Sequence, residues 1–426
     1  MVHSPSLMLA IRHKRVLLLQ GPMGPFFRRL ADDLTHQGCT VEKVNFNGGD
    51  SFFYPSGARA FRGPMSAWPE YLHQILSEKP FDLVLLFGDC RPLHQAAKDV
   101  AQRHGVTVGV FEEGYVRPNF ITLERGGVNA NSSMPREPAF FRSTPPSGGL
   151  AVAPAPQVAN AFWFMALWAV LYYVASAILR PWFPSYQHHR RLSIGEAIPW
   201  LRAVLRKRRY ARQEAGLQAL LTGPKSKEFY LVPLQVHNDS QVSVHSTFAS
   251  VSAFIEDVMA SFAHHAPSST LLAIKHHPLD RAYTDYTVLI AAAAERLHLQ
   301  GRVVYLHDQH LPSLLDHARG SVVINSTVGL QALDHGAPLK VCGRAIYDME
   351  GLTFQGSLDG FWKAASEFQL DSELFAAFKA VLMKRTQIGG SFYRALDTGE
   401  TLHVRTLEEP SNAYDRDLSP LSGSAE

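Results

Sequence analysis

Short apolar runs return along this chain, each leading into a polar or glycine-bearing turn and then an amphipathic stretch of helix length. Val16-Leu17-Leu18-Leu19 runs into Gln20-Gly21-Pro22-Met23-Gly24-Pro25, and a helix from about Phe26 to Gln37 carries Phe27, Leu30 and Leu34 on one face. Cys39 to Phe46 predicts a second strand, with Asn47-Gly48-Gly49-Asp50 as its exit loop. Trp68 to Ser77 predicts a helix, Phe81 to Phe87 a strand and Leu93 to His104 a helix. The alternation restarts at Phe229 to Pro233, with a helix at Ser252 to His264 and a strand at Leu271 to Lys275. It continues through a strand at Val303 to Leu306, a helix at Leu311 to Ala318 and strands at Ser321 to Ile324 and Ala337 to Cys342. Such alternation folds into a mostly parallel sheet sheathed by helices. With 426 residues the chain exceeds one core and suits two. The expected fold is therefore α/β, with two Rossmann-like domains facing across a cleft.

The expected boundaries are 1–150 for the first domain, 151–224 for a linker with apolar and basic helical segments, and 225–360 for the second domain. Residues 361–407 are expected to be helical and to pack back across the cleft, with Phe361 to Arg394 mostly helix. Ser132 to Pro156 is crowded with Pro, Ser and Gly and reads as a linker or mobile loop. The tail 408–426 has the composition of a disordered segment.

A net charge of +3 argues against a nucleic-acid binder, which carries a strong basic field. The cysteines Cys39, Cys90 and Cys342 are widely spaced and odd in number, which suits a reducing compartment and no disulfide scaffold. Met1 to Arg15 has no long apolar core, and Val16 to Leu19 is too short for a signal peptide. The expected location is cytoplasmic.

In open α/β sheets, ligands bind beyond the carboxyl ends of the strands, and the polar residues cluster there. Val106 to Phe111 leads into Glu112-Glu113-Gly114-Tyr115-Val116-Arg117-Pro118. Neighbours on an extended segment point opposite ways, so Glu112 and Glu113 should play different parts. One would face the cleft and the other anchor the loop to Arg117; the plainer alternative is a solvated turn with an ordinary ion pair. Asp89, Arg91 and His94 follow the strand ending at Phe87, where Arg91 could grip a carboxylate or phosphate as a fork and His94 could brace the loop. Gln20 and Gly21 occupy the equivalent position after the first strand, without either phosphate-loop spacing.

In the second half, Asp239, Ser240 and Gln241 lie in an exit loop, where they can bind hydroxyls or order the domain cleft. Lys275-His276-His277-Pro278 lies where a nucleotide phosphate would rest. His277 could donate to a phosphoryl oxygen and Lys275 add charge, or both histidines could simply pack. They lack a third ligand at metal-site spacing, so no metal is expected. Asn325-Ser326-Thr327 joins a strand to a helix start and makes an anion cradle; the plain reading is a Ser326 N-cap.

Ala161 to Leu179 has no charged residue. Arg180, Arg190, Arg191, Arg202, Arg206, Lys207, Arg208, Arg209 and Arg212 follow it, against Glu196. Three readings are open: a membrane span, a helix lying on an anionic inner face with Trp182 and Phe183 at headgroup level, or a buried hairpin. A span would put the halves on opposite sides of the membrane and forbid a shared cleft.

Carboxylates on one domain and phosphate-binding groups on the other fit transfer of a group from a nucleotide-activated donor. The residues Gln20-Gly21-Pro22, Phe87-Gly88-Asp89-Cys90-Arg91, Glu112-Glu113-Gly114-Tyr115-Val116-Arg117-Pro118, Lys275-His276-His277-Pro278 and Asn325-Ser326-Thr327-Val328-Gly329-Leu330 resemble the bacterial capsular polysaccharide biosynthesis and export family, KpsS/LipB type. The resemblance implies a GT-B-like retaining β-Kdo glycosyltransferase with CMP-β-Kdo as donor and no other cofactor. It implies transfer of the first Kdo to a phosphatidylglycerol-type lipid at the cytoplasmic face of the inner membrane, initiating the poly-Kdo linker of the capsule. Partners would be that anionic phospholipid acceptor, the membrane surface, a linker-elongating Kdo transferase and the capsule export machinery.

The family's His-Pro pair falls on His277-Pro278 and implies cytidylate binding, and its late-strand serine falls on Ser326. The related C-type enzymes have Glu-Asp-Gly where this chain has Glu112-Glu113-Gly114, so the catalytic aspartate falls on Glu113 with one methylene more. Its role as nucleophile, base or electrostatic stabiliser stays open, as do three rival functions. These are linker elongation, transfer from another CMP-sugar, and a non-enzymatic export scaffold binding a lipid-linked glycan.

Overall fold

A computed structural model describes residues 14–143, 161–186, 197–396 and 402–403. The stretch 144–156, Arg190, Arg191, Glu196 and the acidic tail lie outside the described residues. In the first half the order is β1 (Arg15–Leu18), α1 (Phe26–His36), β2 (Thr40–Asn45), α2 (Gly48–Phe53), β3 (Ala58–Ala60), α3 (Trp68–Glu78), β4 (Leu83–Phe87), α4 (Pro92–Arg103), β5 (Thr107–Glu113), β6 (Phe120–Arg125) and α5 (Pro138–Ser143). Two connecting helices follow, α6 (Phe162–Ile178) and α7 (Ala197–Gln213), then the short α8 (Leu217–Thr222). The second half runs β7 (Phe229–Pro233), α9 (Ser240–His245), α10 (Val251–His265), β8 (Leu271–Lys275), α11 (Thr287–Arg296), β9 (Val303–Leu306), α12 (Leu311–His317), β10 (Gly320–Val323), α13 (Val328–Asp334), β11 (Leu339–Val341), α14 (Leu358–Ala364) and α15 (Ser372–Thr386). The chain then returns through β12 (Gln387–Gly390) and β13 (Leu402–His403).

Each half is a helix-covered sheet, because its strands are apolar on both faces. β1 sends Val16 and Leu18 into one core layer and Leu17, with Leu19 just past the strand, into the other. The first sheet has the order β13-β12-β6-β5-β4-β1-β2-β3, and the second β11-β10-β7-β8-β9. From β3 to β5 the first sheet is parallel, and all pairs of the second are parallel. Both halves therefore show the doubly wound strand order, reversing direction between β1 and β4 and between β7 and β10. This is the α/β plan of two helix-covered, doubly wound sheets that the sequence predicts.

Three local expectations are corrected. The strand expected over Val106 to Phe111 runs on through Glu112 and Glu113, because β6 pairs antiparallel to it from Gly109↔Arg125 to Glu113↔Ile121. The region Phe361 to Arg394 is helical only as far as Thr386; Gln387–Gly390 then pairs antiparallel with β6 and extends the first sheet. The strand forms there because the buried edge of β6 needs hydrogen-bond partners that a helix does not offer. Finally, the start of the supposed loose segment is packed: Met134 and Phe141 are buried, and the Phe141 ring lies 5.4 Å from Phe378 of α15.

The uncharged segment folds as α6 and lies along the first domain. Ala169, Tyr172, Ala175 and Ser176 are buried, facing α2, whose two leading glycines let the helices touch. A Cβ on Gly48 would lie 2.3 Å from the Ala175 carbonyl oxygen, and one on Gly49 2.6 Å from the Tyr172 ring. Asn47 and Asp50, expected in an exit loop within a substrate's reach or in a plain turn, bind this helix. Tyr172 Oη donates to Asp50 Oδ1 at 2.9 Å, and Asn47 Nδ2 donates to Tyr172 Oη at 2.7 Å. The opposite side of α6 is bare: Trp163, Leu167, Val170, Val174 and Ile178 are exposed. A fully buried hairpin is thus excluded, and no helix among the described residues is long and apolar enough to cross a membrane.

Candidate active site

The strand-order reversals place four exit loops at two crevices, and each crevice is bridged by a side-chain amide. After β1, Gln20 is buried and its Oε1 accepts from Arg91 Nη1, beyond β4, at 2.8 Å. Its Nε2 donates to Tyr186 Oη at 2.8 Å, so this residue links Arg91 to the segment following α6. Gly21 is required for packing, since a Cβ there would lie 2.8 Å from the Phe27 ring. After β7, Gln235 Nε2 donates to Asn325 Oδ1, beyond β10, at 3.0 Å. Asn325 Nδ2 in turn donates to the Gln241 carbonyl at 2.9 Å.

The two crevices open toward each other. Cys90 Sγ, beyond β4, lies 3.3 Å from His245 Nε2 of α9, and Gln241 Nε2 approaches the same sulfur at 3.8 Å. Burial first, then the neighbouring Asp89 carboxylate, pushes the Cys90 thiol up to about 12, so the group stays a protonated thiol at neutral pH. Asp89 is itself buried and holds Lys98 and Asn131 at 3.2 and 2.8 Å. His94 braces this loop, with Nδ1 2.6 Å from the Gly88 carbonyl; burial holds its pKa down to about 3.

Glu112 and Glu113 end β5 and do take different surroundings. Glu112 Oε1 accepts the Glu113 backbone N–H at 3.0 Å. Burial above all, with the charges of Glu113 and Asp239 assisting, pushes Glu112 up to about 7 against the pull of Arg91. Glu113 Oε1 instead accepts from Tyr393 Oη at 3.0 Å. Arg117 bonds neither carboxylate: its Nε donates to the Gly114 carbonyl at 3.2 Å, which corrects the expected loop ion pair. Gly114 is needed less for a turn than for a close approach, as a Cβ there would lie 2.1 Å from the Phe120 carbonyl oxygen.

The Lys275-His276-His277-Pro278 run divides. Lys275 is buried and donates to the His307 carbonyl at 2.9 Å, and His276 packs beside Tyr305, its Nδ1 2.7 Å from the phenol oxygen. Both are internal braces. His277 is only half-buried, and its Nδ1 accepts the Leu279 N–H at 3.2 Å. That bond places the proton of the neutral ring on Nε2, which becomes a donor. Burial lowers the His277 pKa to about 4, with Lys275 and Arg117 opposing the proton and Asp280 favouring it. Arg117 belongs to the loop after Glu113, and Asp239 acts on both Glu112 and His277, so Glu112 and the imidazole share one electrostatic neighbourhood. Pro278 opens a short turn ending at Asp280.

Asp239 caps α9, with Oδ1 accepting from the Gln241 N–H at 2.9 Å. Ser326 Oγ accepts from the Val328 N–H at 3.2 Å, while Thr327 is the residue at the N-cap of α13. The Ser326 carbonyl accepts from Tyr347 Oη, an approach that only a glycine at 329 allows: a Cβ there would lie 2.2 Å from that hydroxyl. Among the described residues no group of three or more His, Cys, Asp or Glu could hold a metal.

Two residues of the site escape the sequence reading. His237 Nδ1 lies 2.5 Å from Asp280 Oδ1, and the partly exposed ring stands in the β7 exit loop. Its position after a strand was the available signal. Tyr393 reaches Glu113 only through the β12 crossover, and nothing near it in sequence marks it.

The family model described as capsule polysaccharide biosynthesis protein matches residues 82–393. The chain is 41% identical over 395 residues to the capsule polysaccharide export protein KpsS of Escherichia coli, covering 91% of this chain and 99% of that protein. It is 42% identical over 386 residues to the capsule polysaccharide modification protein LipB of Neisseria meningitidis serogroup A, covering 89% and 92% respectively. Among solved structures it is similar to the β-Kdo 2,4 transferase KpsC of Thermosulfurimonas dismutans, at 14% identity and a TM-score of 0.38, over 87% of this chain and 90% of that one.

Proposed function

This chain belongs to the capsule polysaccharide biosynthesis protein family, with KpsS and LipB as close relatives, and from that premise we propose that it is a retaining glycosyltransferase. It moves β-Kdo from CMP-β-Kdo to a (lyso)phosphatidylglycerol-type lipid and so starts the poly-Kdo linker of a capsule. The observation that carries this reading is the meeting of two crevices: Cys90 Sγ of the first domain lies 3.3 Å from His245 Nε2 of the second, and the Asp239 carboxylate acts on both Glu112 at the end of β5 and His277.

In this mechanism the cytidylate phosphate sits between His277 and the Asn325-Ser326-Thr327 turn. As the bond from the anomeric carbon to the phosphate breaks, its electron pair passes to the phosphate. His277 Nε2–H and the amides of the turn stabilise the negative charge. Arg91, tethered to Gln20, offers the rest of its fork to the sugar carboxylate. Glu113 faces the anomeric carbon, where retention calls for a carboxylate. The acceptor hydroxyl bonds to that carbon and gives its proton to Glu112, whose pKa near 7 suits a base at neutral pH.

The bare side of α6 supports action at a membrane surface. Its apolar stripe runs toward Trp182, exposed like the stripe itself, and Lys207, Arg208, Arg209 and Arg212 of α7 are also exposed. A helix docked on the protein by one side and apolar on the other suits the interface of an anionic bilayer. The protein would then work at the cytoplasmic face of the inner membrane, beside the linker-elongating transferase and the export machinery.

The test is to incubate the purified protein with CMP-Kdo and a lysophosphatidylglycerol and weigh the lipid. The expected product is the lipid with one Kdo added. Glu113→Gln is expected to lower transfer by at least a hundredfold while cytidylate binding stays within threefold. No turnover with any acceptor, together with tight binding of a lipid-linked glycan, would favour an export scaffold instead.

A further inference from the structure

Tyr393 arrives at the first domain from the far end of the chain. β12 pairs with β6, and the next residues turn inward over the carboxyl end of β5. Phe392 anchors the turn: its ring lies 4.8 Å from Phe26 and 5.0 Å from Phe87, and its carbonyl accepts from Arg29 Nη2 at 3.3 Å. The Tyr393 N–H donates to Ser391 Oγ at 3.2 Å. Burial, reinforced by Glu113, holds the Tyr393 phenol well above its ordinary range, so the hydroxyl is a permanent donor to Glu113.

The same residue is held from the other side by α6. Trp168 Nε1 donates to the Tyr393 carbonyl at 2.9 Å, and Arg394 stands over the Phe164 ring at 5.8 Å. Trp168 is seated in turn against Gly24, where a Cβ would lie 3.1 Å from the indole, and edge-on to Phe53 at 5.8 Å. One path of direct contacts therefore runs from the helix with the bare apolar side, through Trp168 and Tyr393, to the Glu113 carboxylate.

Resting on the transferase reading above, we propose that Tyr393 is a positioning residue that orients Glu113, and that Trp168 ties this orientation to the seating of α6. A carboxylate facing an anomeric carbon has rotamers to lose, and a misplacement of about 1 Å can cost on the order of a hundredfold in rate. A single phenol hydroxyl, fixed at its backbone by an indole, removes that freedom. Since α6 is also the helix offered to the bilayer, the carboxylate is aligned in the protein whose lipid-facing helix is in place.

The test uses the full chain under single-turnover conditions. Tyr393→Phe keeps the ring and deletes the donor; transfer is expected to slow roughly tenfold to a hundredfold, with the KM for donor and the affinity for cytidine monophosphate within threefold. In a Glu113→Gln background the same substitution should cost less than threefold more, because its action runs through that carboxylate. Trp168→Phe, which removes the indole donor together with part of the packing against Gly24 and Phe53, should slow transfer in the same direction by a smaller factor. It serves as the second probe if Tyr393→Phe folds poorly. Wild-type rates in both variants would overturn the proposal, as would an equal loss from Tyr393→Phe with and without Glu113. Wild-type protein that transfers nothing would overturn the functional reading itself, which separates the two failures.

Discussion

Glu112 and Glu113 are neighbours in sequence but belong to different faces of β5. Glu112 shares the face of Val110 and Glu113 that of Phe111, each with its own core layer. The pleat thus turns one dipeptide into two groups with separate partners. Because its pKa is raised from 4.5 to about 7, Glu112 binds its proton more tightly in the folded state than in the unfolded one. Its contribution to stability is full below the unfolded value and is lost as pH rises through 7. Glu112→Gln should therefore gain stability relative to the wild type as pH rises from 4.5 through 7, seen in urea melts across that range. If Glu112 is the base, wild-type transfer should also rise with pH through about 7, and the variant should lack that limb. An identical limb in the variant would assign the proton transfer elsewhere. The pair itself was legible, because it follows a short apolar run and precedes a glycine. Its partners were not. Tyr393 lies 280 positions away, and a tyrosine in the run Gly389-Gly390-Ser391-Phe392-Tyr393 gives no local sign of a carboxylate partner.

The element that resisted the sequence most was α6. An uncharged run carries no periodicity that separates a docked side from a bare one, so span, surface helix and buried hairpin all fitted. What decides is the partner: Gly48 and Gly49, which read as turn residues, are the flat surface that admits Ala175 and Tyr172. The basic helix α7 was read from charge alone, and part of that charge is structural. Arg206 Nη1 donates to the carbonyls of Arg281 and Thr284 at 2.8 and 3.1 Å, leaving its neighbours to face solvent. For the bilayer the relevant residues are the exposed ones. Leu167→Glu with Val174→Glu should lower binding to vesicles containing phosphatidylglycerol by about tenfold, which is about 1.4 kcal/mol. The melting temperature should change little, since neither side chain is buried. Undiminished flotation of the double variant would show that α6 is not the membrane contact.

At the scale of the whole molecule, the alternation of strand and helix was enough to read two doubly wound halves, because period and length are local properties. Strand order, the β6 hairpin and the return of β12 to the first sheet depend on pairing between distant segments, which no local pattern carries. Those non-local pairings make the site. The domains touch through Cys90, Gln241 and His245 near the crevices, and through Arg344, whose Nη2 donates to the Ala130 carbonyl at 3.4 Å. Tyr115, Met134 and Phe141 join the core of the second domain from the first. A ligand held by groups from both sides would find them already close. The most direct measurement of this account is a crystal structure with cytidine monophosphate bound. It should show the phosphate against His277 Nε2 and the Ser326-Thr327 turn, with the Glu113 carboxylate opening onto the space beside it. A nucleotide bound away from His277, or a Glu113 carboxylate closed off from the phosphate by the Tyr393 ring, would contradict it.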